Sequence, residues 1–472
     1  MKEVCPVFGK CGGCQYLNLS YEEQLAKKEA SVRELFQEFE LPISPITASD
    51  PYHYRCKVQM SFRNKDSRHL VSGTYAEASH RLIPVDECLL DDQRADLLIR
   101  DIRSLMEKFK LQAYDEKSHN GILRHVMVRI GKKTGEIMVI LVTGSSFFPG
   151  KQNFVKELRK QHPEITTIVQ NINGNFTSMV LSDKFQTIFG PGFIYDELLG
   201  KRFRLSPGAF FQVNPPQAEK LYEKALELAD LRGTECVLDA YCGTGTIGIL
   251  ASDKAREVVG IELNPQAVQD ARKNASINKI RNIRFYQGDA GEFLTFHDLK
   301  PDVVIMDPPR SGSSDSFLSA LIYAAPETIV YISCGPDTQA RDLRVLVQNG
   351  YRPVSLSSYD LFPWTEHVET IVLLCRKAEE ADRHISIEYY PEGRHMETAP
   401  LDASYSRIVR WIEENYNGMK VHTLYVAQVK RKYGLIEREN YHKSTKPDAK
   451  VPECPPDKEA AIVEALKHFR MI

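Results

Sequence analysis

Between residues 201 and 376 the chain repeats one rhythm. TECVLDA, EVVGIEL, IRFYQ, PDVVIMD, TIVYISC and ETIVLLCR are short runs rich in Val and Ile, most of them separated by helical stretches. Strands buried on both faces and alternating with helices predict an open, mostly parallel α/β sheet. In such a sheet ligands lie outside the carboxyl ends of the strands. Residues with chemistry at those ends are therefore the first candidates for a site.

The first strand runs through Asp239 into Gly243, Gly245 and Gly248. Glycines let a backbone turn tightly and come close to a ligand. The turn is neither GxGxxG nor GxxxxGK[ST], which argues against NAD and ATP and leaves a methyl donor as the better fit. The next strand ends in Glu262, placed to accept hydrogen bonds from ribose hydroxyls. A third ends in Asp289. PDVVIMD then leads into Asp307-Pro308-Pro309-Arg310, where two prolines fix the backbone and hold the Asp carboxylate at the sheet edge. A rigid strand-end turn is the alternative. YISCGPDT puts Cys334 at the end of another strand, where following helix amides could lower its pKa and make it a nucleophile. A buried core thiol is the alternative there. His367 and Glu369 precede the last strand, and Gln212 and Asn214 sit in FFQVN just upstream of the domain.

The remainder is read more coarsely. Residues 1–45 hold a cysteine-rich opening and one amphipathic helix, with Leu25, Val32, Leu35, Phe36 and Phe39 near helical spacing. Residues 46–200 mix strand and helix patterns, an α+β domain. Residues 377–472 form a mainly helical extension. Its segment 421–450 carries seven Lys and Arg against three acids, in a chain whose 61 basic and 63 acidic residues otherwise nearly cancel. That local excess suits phosphate contacts, and a solvated face of a capping domain is the alternative. No run of 18 apolar residues and no signal-peptide core are present, so a cytoplasmic protein that does not cross a membrane is expected.

Cys5, Cys11 and Cys14 place three soft ligands within ten residues. Thiolates select zinc, Cu(I) or an iron–sulfur cluster. Cys88, in a turn-like acidic context, is a better fourth ligand than Cys56, which lies in an apparent strand. Spacing does not separate zinc from iron–sulfur.

Taken together, CPVFGKCGGCQYL, FFQVN, LDAYCGTGTIG, GIE, MDPPR, SCGPDT and DLFPWTEHVE resemble the RNA uracil-5-methyltransferases, and specifically the iron–sulfur type acting on 23S ribosomal RNA. The resemblance covers about residues 1–376. It implies a Rossmann-like methyltransferase sheet with an N-terminal iron–sulfur region, an α+β central domain and a small C-terminal extension. It implies Cys334 as the nucleophile that adds to uracil C6, Glu369 as the base that takes the C5 proton, and Asp307 at the junction of cofactor and uracil. Gln212, Tyr241, Glu262 and Asp307 correspond to S-adenosylmethionine contacts. Cys5, Cys11, Cys14 and Cys88 correspond to ligands of a [4Fe–4S] cluster. The implied partner is a loop uridine of ribosomal RNA, with transfer RNA as the second choice, bound by a monomer.

Two departures accompany the resemblance. Cys5 leaves no room before it for the TRAM barrel that many relatives carry, and the extension lies outside the common pattern. RNA cytosine-5 methylation is the nearest rival reading. A non-catalytic RNA-binding protein with a structural metal is the rival from another class.

Overall fold

The computed structural model describes residues 5–377, 405–433 and 454–471, except 78, 80, 117, 176–178, 298, 417, 418 and 470. It divides into two compact units, Met1–Glu379 and Glu380–Ile472.

The first unit opens with an irregular segment and helix α1 (Tyr21–Leu35). Ser20 caps α1, its hydroxyl accepting from Glu23 N while the Glu23 carboxylate accepts from Ser20 N. This reciprocal box satisfies two otherwise orphaned donors. Strands β1 (Lys57–Asn64), β2 (Leu70–Tyr75) and β3 (Leu82–Pro84) follow, then helix α2 (Gln93–Lys108), capped by Asp92. Next come β4 (Leu123–Ile130), β5 (Ile137–Thr143), helix α3 (Lys151–Gln161), β6 (Ile165–Ile172) and β7 (Phe185–Phe189). These strands form one sheet in the order β3-β2-β1-β4-β5-β6-β7. Only the β5–β6 pair is parallel, and α3 makes that crossover. Hairpin β8 (Ile194–Leu198) and β9 (Lys201–Leu205) leads out of this layer.

Helix α4 (Pro215–Ala229) opens the alternating region. It continues as β10 (Cys236–Ala240), α5 (Thr246–Ala251), β11 (Glu257–Glu262), α6 (Pro265–Ile277), β12 (Ile283–Gln287) and α7 (Ala290–Phe296). Strand β13 (Val303–Met306), α8 (Asp315–Ala324), β14 (Thr328–Ser333), α9 (Pro336–Gln348), β15 (Tyr351–Tyr359) and β16 (Glu369–Arg376) complete it. The sheet order is β12-β11-β10-β13-β14-β16-β15, parallel as far as β14 and antiparallel beyond. Val237, Ile305 and Val330 join one apolar layer, and Leu238, Val304 and Ile329 the other. Burial on both faces is what the continuous Val/Ile runs require. The order reverses at β10/β13, so the carboxyl edge opens a crevice between those strands.

The second unit contains α10 (Tyr405–Asn415), α11 (Thr423–Lys432) and α12 (Pro456–His468). Ile408, Ile412, Val426, Ile462 and Leu466 form its core. Most of the basic segment, residues 434–450, lies outside the described residues. Among the described residues no helix is long and apolar enough to cross a membrane.

The expected iron–sulfur region is not formed. Among the described residues no three His, Cys, Asp or Glu side chains gather into a group able to hold a metal ion. Cys5, Cys11, Cys14 and Cys88 therefore do not build the [4Fe–4S] cage expected from their spacing. Cys14 and Cys88 instead pack against the apolar cluster of Tyr54, Leu90 and Trp364. Burial pushes the Cys14 thiol up to about 12 and the Cys88 thiol up as well. The segment is tethered by its backbone, with the amides of Gln15 and Tyr16 donating to Trp364 O at 3.0 Å.

Candidate active site

The glycine turn after β10 is built on positive backbone angles, φ 64° at Tyr241, 53° at Gly243 and 81° at Gly245. At Gly245 a Cβ would come within 2.7 Å of Phe285, and at Gly248 within 2.8 Å of Asp239 Oδ2. Asp239 is buried and accepts from Gly248 N at 2.7 Å, while its Oδ1 has no partner among the described residues. Burial, with the Asp307 and Glu262 carboxylates adding to it, pushes Asp239 up to about 8. A protonated Asp239 pins the turn without placing a buried charge beneath it.

Glu262, at the end of β11, accepts from Gly243 N at 3.1 Å and from Asn264 N at 2.7 Å. Each oxygen keeps a second lone pair for a ligand hydroxyl. Phe210, Gln212, Tyr222, Tyr241, Gly243 and Asp307 line one cleft beside this turn. Tyr241 sets its ring edge-on to Phe317 with centroids 5.2 Å apart. The close-approach glycines, the orphaned Asp239 oxygen and the Glu262 carboxylate suit a nucleoside-bearing cofactor such as S-adenosylmethionine.

The central sheet braces this cleft. Cys56 N donates to Val213 O at 2.9 Å, and the Arg129 guanidinium of β4 donates to Ala209 O, so the FFQVN segment is held from below. Arg129 is buried, and its Nε and Nη1 have no partner among the described residues. Asn214 does not cap α4 with its side chain; it donates to Ser49 Oγ at 3.0 Å and Leu361 O at 3.1 Å.

Asp307 stands directly after β13, Cys334 directly after β14, and Glu369 begins β16. Burial pushes Asp307 up to about 7 and Glu369 well above the usual carboxylate range. The Cys334 thiol is pushed up to about 11 by burial and by the Glu369 and Asp307 charges, with Arg310 pulling it down. The expected lowering by the α9 amides is therefore outweighed. These three side chains feel one another at the carboxyl edge of the sheet. Burial favours the neutral form of Glu369 and of the Cys334 thiol at rest.

The loop between β15 and β16 carries His367 to this edge, and α1 holds the loop. Lys28 forms a buried ion pair with Asp360 at 2.6 Å and also donates to Phe362 O at 3.0 Å. Tyr21 OH and Gln24 Nε2 donate to Asp360 Oδ2 at 2.9 and 2.8 Å, and Gln24 Oε1 accepts from Trp364 N at 3.3 Å. Removing one partner of a buried pair strands the other charge. Lys28→Met should therefore cost roughly 3–5 kcal/mol. A clear fall in melting temperature checks this, and a melting temperature equal to wild type contradicts it.

Sequence reasoning overlooked Arg129, Lys28 and Asp360. A charged residue inside the apolar run ILRHVMVRI was the available signal for Arg129. Nothing local marks the Lys28–Asp360 pair, which spans 332 positions.

The model of the tRNA (uracil-5-)-methyltransferase family matches residues 20–377. The chain belongs to that family. The methyltransferase is 39% identical over 382 residues to an uncharacterised RNA methyltransferase of Halalkalibacterium halodurans, covering 78% of this chain and 82% of the relative. It is 42% identical over 376 residues to another from Oceanobacillus iheyensis, with the same coverage of 78% and 82%. Among solved structures it is similar to the Pyrococcus abyssi tRNA (uracil-54, C5)-methyltransferase in complex with S-adenosyl-L-homocysteine. That likeness has a TM-score of 0.65 and 27% identity, over 78% of this chain and 86% of the other. The methyltransferase is thus an S-adenosylmethionine-dependent RNA-modifying enzyme. The match supports the family as such, and the narrower expectation of an iron–sulfur, barrel-lacking subtype is withdrawn with the missing ligand cage.

Proposed function

We propose that this enzyme methylates C5 of a uridine in transfer RNA through a covalent adduct between Cys334 and uracil C6. The observation that carries the reading is the convergence of Cys334, Asp307 and Glu369 at one sheet edge beside the glycine-turn cleft. The family description and the Pyrococcus abyssi enzyme both name tRNA, whereas the expectation of ribosomal RNA leaned on an iron–sulfur cluster the fold does not form.

Uracil C5 is a poor nucleophile. Addition of the Cys334 thiolate to C6 breaks the C5–C6 π bond and moves its electrons toward C5 and O4. S-adenosylmethionine supplies an electrophilic methyl group to C5. Glu369, having first given up its resting proton to solvent, then accepts the C5 proton as a carboxylate; the released electron pair restores the C5–C6 double bond and expels the thiolate. Gln212, Tyr241, Glu262 and Asp307 hold the cofactor, and the buried Asp307 carboxyl stands between it and the base. The target base must leave its stack to reach Cys334, which a loop makes cheaper.

Transfer RNA and ribosomal RNA transcripts labelled with tritium at uridine C5 test this reading. Tritium release is expected from transfer RNA, dependent on S-adenosylmethionine. Release from ribosomal RNA alone would reverse the substrate assignment, and release from neither would remove the uracil reading. The pH dependence follows from the raised thiol pKa. The reactive thiolate is the minor form at neutral pH, so the single-turnover rate should climb roughly tenfold per pH unit between pH 6 and 9. A flat profile over that range would contradict Cys334 as the attacking group.

A further inference from the structure

Cys334 opens on a second pocket that shares no lining residue with the cofactor cleft. Its walls include Ser31, Val32 and Leu35 of α1, Arg310 of the DPPR turn, and His367. A uracil whose C6 meets Cys334 and whose C5 faces the cofactor cleft occupies the seam between the two spaces. The α1 wall belongs to the second space alone.

The His367 imidazole is half-buried, and neither ring nitrogen has a hydrogen-bond partner among the described residues. Burial, with the Arg310 and Lys28 cations, pushes it below the ordinary histidine value, against a smaller upward pull from Glu366. It is therefore neutral near pH 7 and presents one donor and one acceptor. Its ring nitrogens are open to a ligand's hydrogen bonds. Leu35, partly exposed, offers an apolar surface, Arg310 a cation near Cys334, and Asp337 and Glu366 two carboxylates. The α1 wall is pre-formed, because the buried Lys28–Asp360 pair locks that helix to the loop bearing His367.

We propose that this pocket receives the base of the nucleotide flanking the target uridine. That base packs on Leu35 and hydrogen-bonds His367, while Arg310 faces the phosphate joining it to the target. A flipped uridine brings its covalent neighbour with it, so the neighbour is the ligand that reaches this space with the least added ordering. The Leu35 wall, the donor and acceptor of the imidazole and the Arg310 cation match a nucleobase edge and its phosphate, and the Asp337 and Glu366 carboxylates are further acceptors for a base's amino group. The inference rests on the uracil reading above and adds to it the site that reads sequence context.

Transfer RNA transcripts carrying an abasic residue on either side of the methylated uridine test the pocket. Single-turnover methylation would be compared for wild type, His367→Ala and Leu35→Trp, the last of which fills the space without removing the imidazole. For wild type, an abasic residue on one flank should slow methylation by about tenfold. Both variants should be slowed on intact RNA to a similar degree and lose nothing further on the abasic RNA. An abasic penalty equal in wild type and both variants would overturn the proposal. Methylation by wild type of none of these RNAs, the intact one included, would remove the transfer-RNA reading and the pocket argued from it, whereas methylation with uncoupled penalties removes the pocket alone.

Discussion

Cys334→Ala is expected to reduce tritium release from uridine C5 by about 10⁴-fold or more, to the level of the uncatalysed exchange. The argument is chemical. Without addition at C6, C5 never becomes carbanion-like, and Cys242, which follows β10, is buried in the glycine turn and lines the cofactor cleft rather than the Cys334 pocket. Binding should survive. Cys334 is absent from the lining of the cofactor cleft, so the dissociation constant for S-adenosylmethionine should stay within about twofold, well under 1.4 kcal/mol. The substitution removes one half-buried sulfur atom, so the protein should fold. Equilibrium binding of the cofactor beside a tritium-release time course checks both halves. Release that persists in the variant would sink the adduct mechanism, and lost cofactor binding would reveal that Cys334 also shapes the cleft.

Glu369→Gln should fail at the opposite end of the reaction. The variant can still add Cys334 to C6 and accept the methyl group, but it has no carboxylate to take the C5 proton. Turnover should fall by about 10²–10⁴-fold. A methylated, covalent protein–RNA complex should accumulate instead. Burial already holds Glu369 in its neutral form, so an uncharged amide of nearly the same shape should leave the resting structure undisturbed. The complex would appear on a denaturing gel as a band of reduced mobility, and would carry label from the methyl group of the cofactor. Reduced turnover without the band would move Glu369 to the addition step. Unchanged turnover would assign the base elsewhere.

Much of the catalytic sheet was legible because its signals are local. The Val/Ile runs, the glycines after Asp239 and the prolines after Asp307 each act through the backbone of their own neighbourhood. The helix at Tyr21–Leu35 was legible for the same reason, through the spacing of its apolar residues. Strands β7, β8, β9 and β15 were not. FQTIF lies at a sheet edge with its first three residues exposed, and the YRPVSLSSY strand has exposed and half-buried residues over its first half, so neither offers a clean apolar pattern. Burial of both faces writes a strand into sequence; edge positions do not.

The cysteines mark the boundary most sharply. The sequence by itself determined that Cys5, Cys11, Cys14 and Cys88 are four thiols capable of ligation. Only the tertiary structure decided that, among the described residues, they form no group able to hold a metal ion, with Cys14 and Cys88 packed against Trp364, Tyr54 and Leu90. The same holds at the catalytic edge. Residue type and strand-end position determined that Cys334, Asp307 and Glu369 could carry chemistry. Their protonation states were decided by burial and by one another's charge, which raise the Cys334 pKa where its helix amides alone would lower it. Arg129 beneath the FFQVN segment, and Lys28 against Asp360, were likewise decided in three dimensions. A covalent chain specifies its local dihedrals and donor types directly, but dielectric, cavity shape and long-range pairing exist only once distant segments have packed.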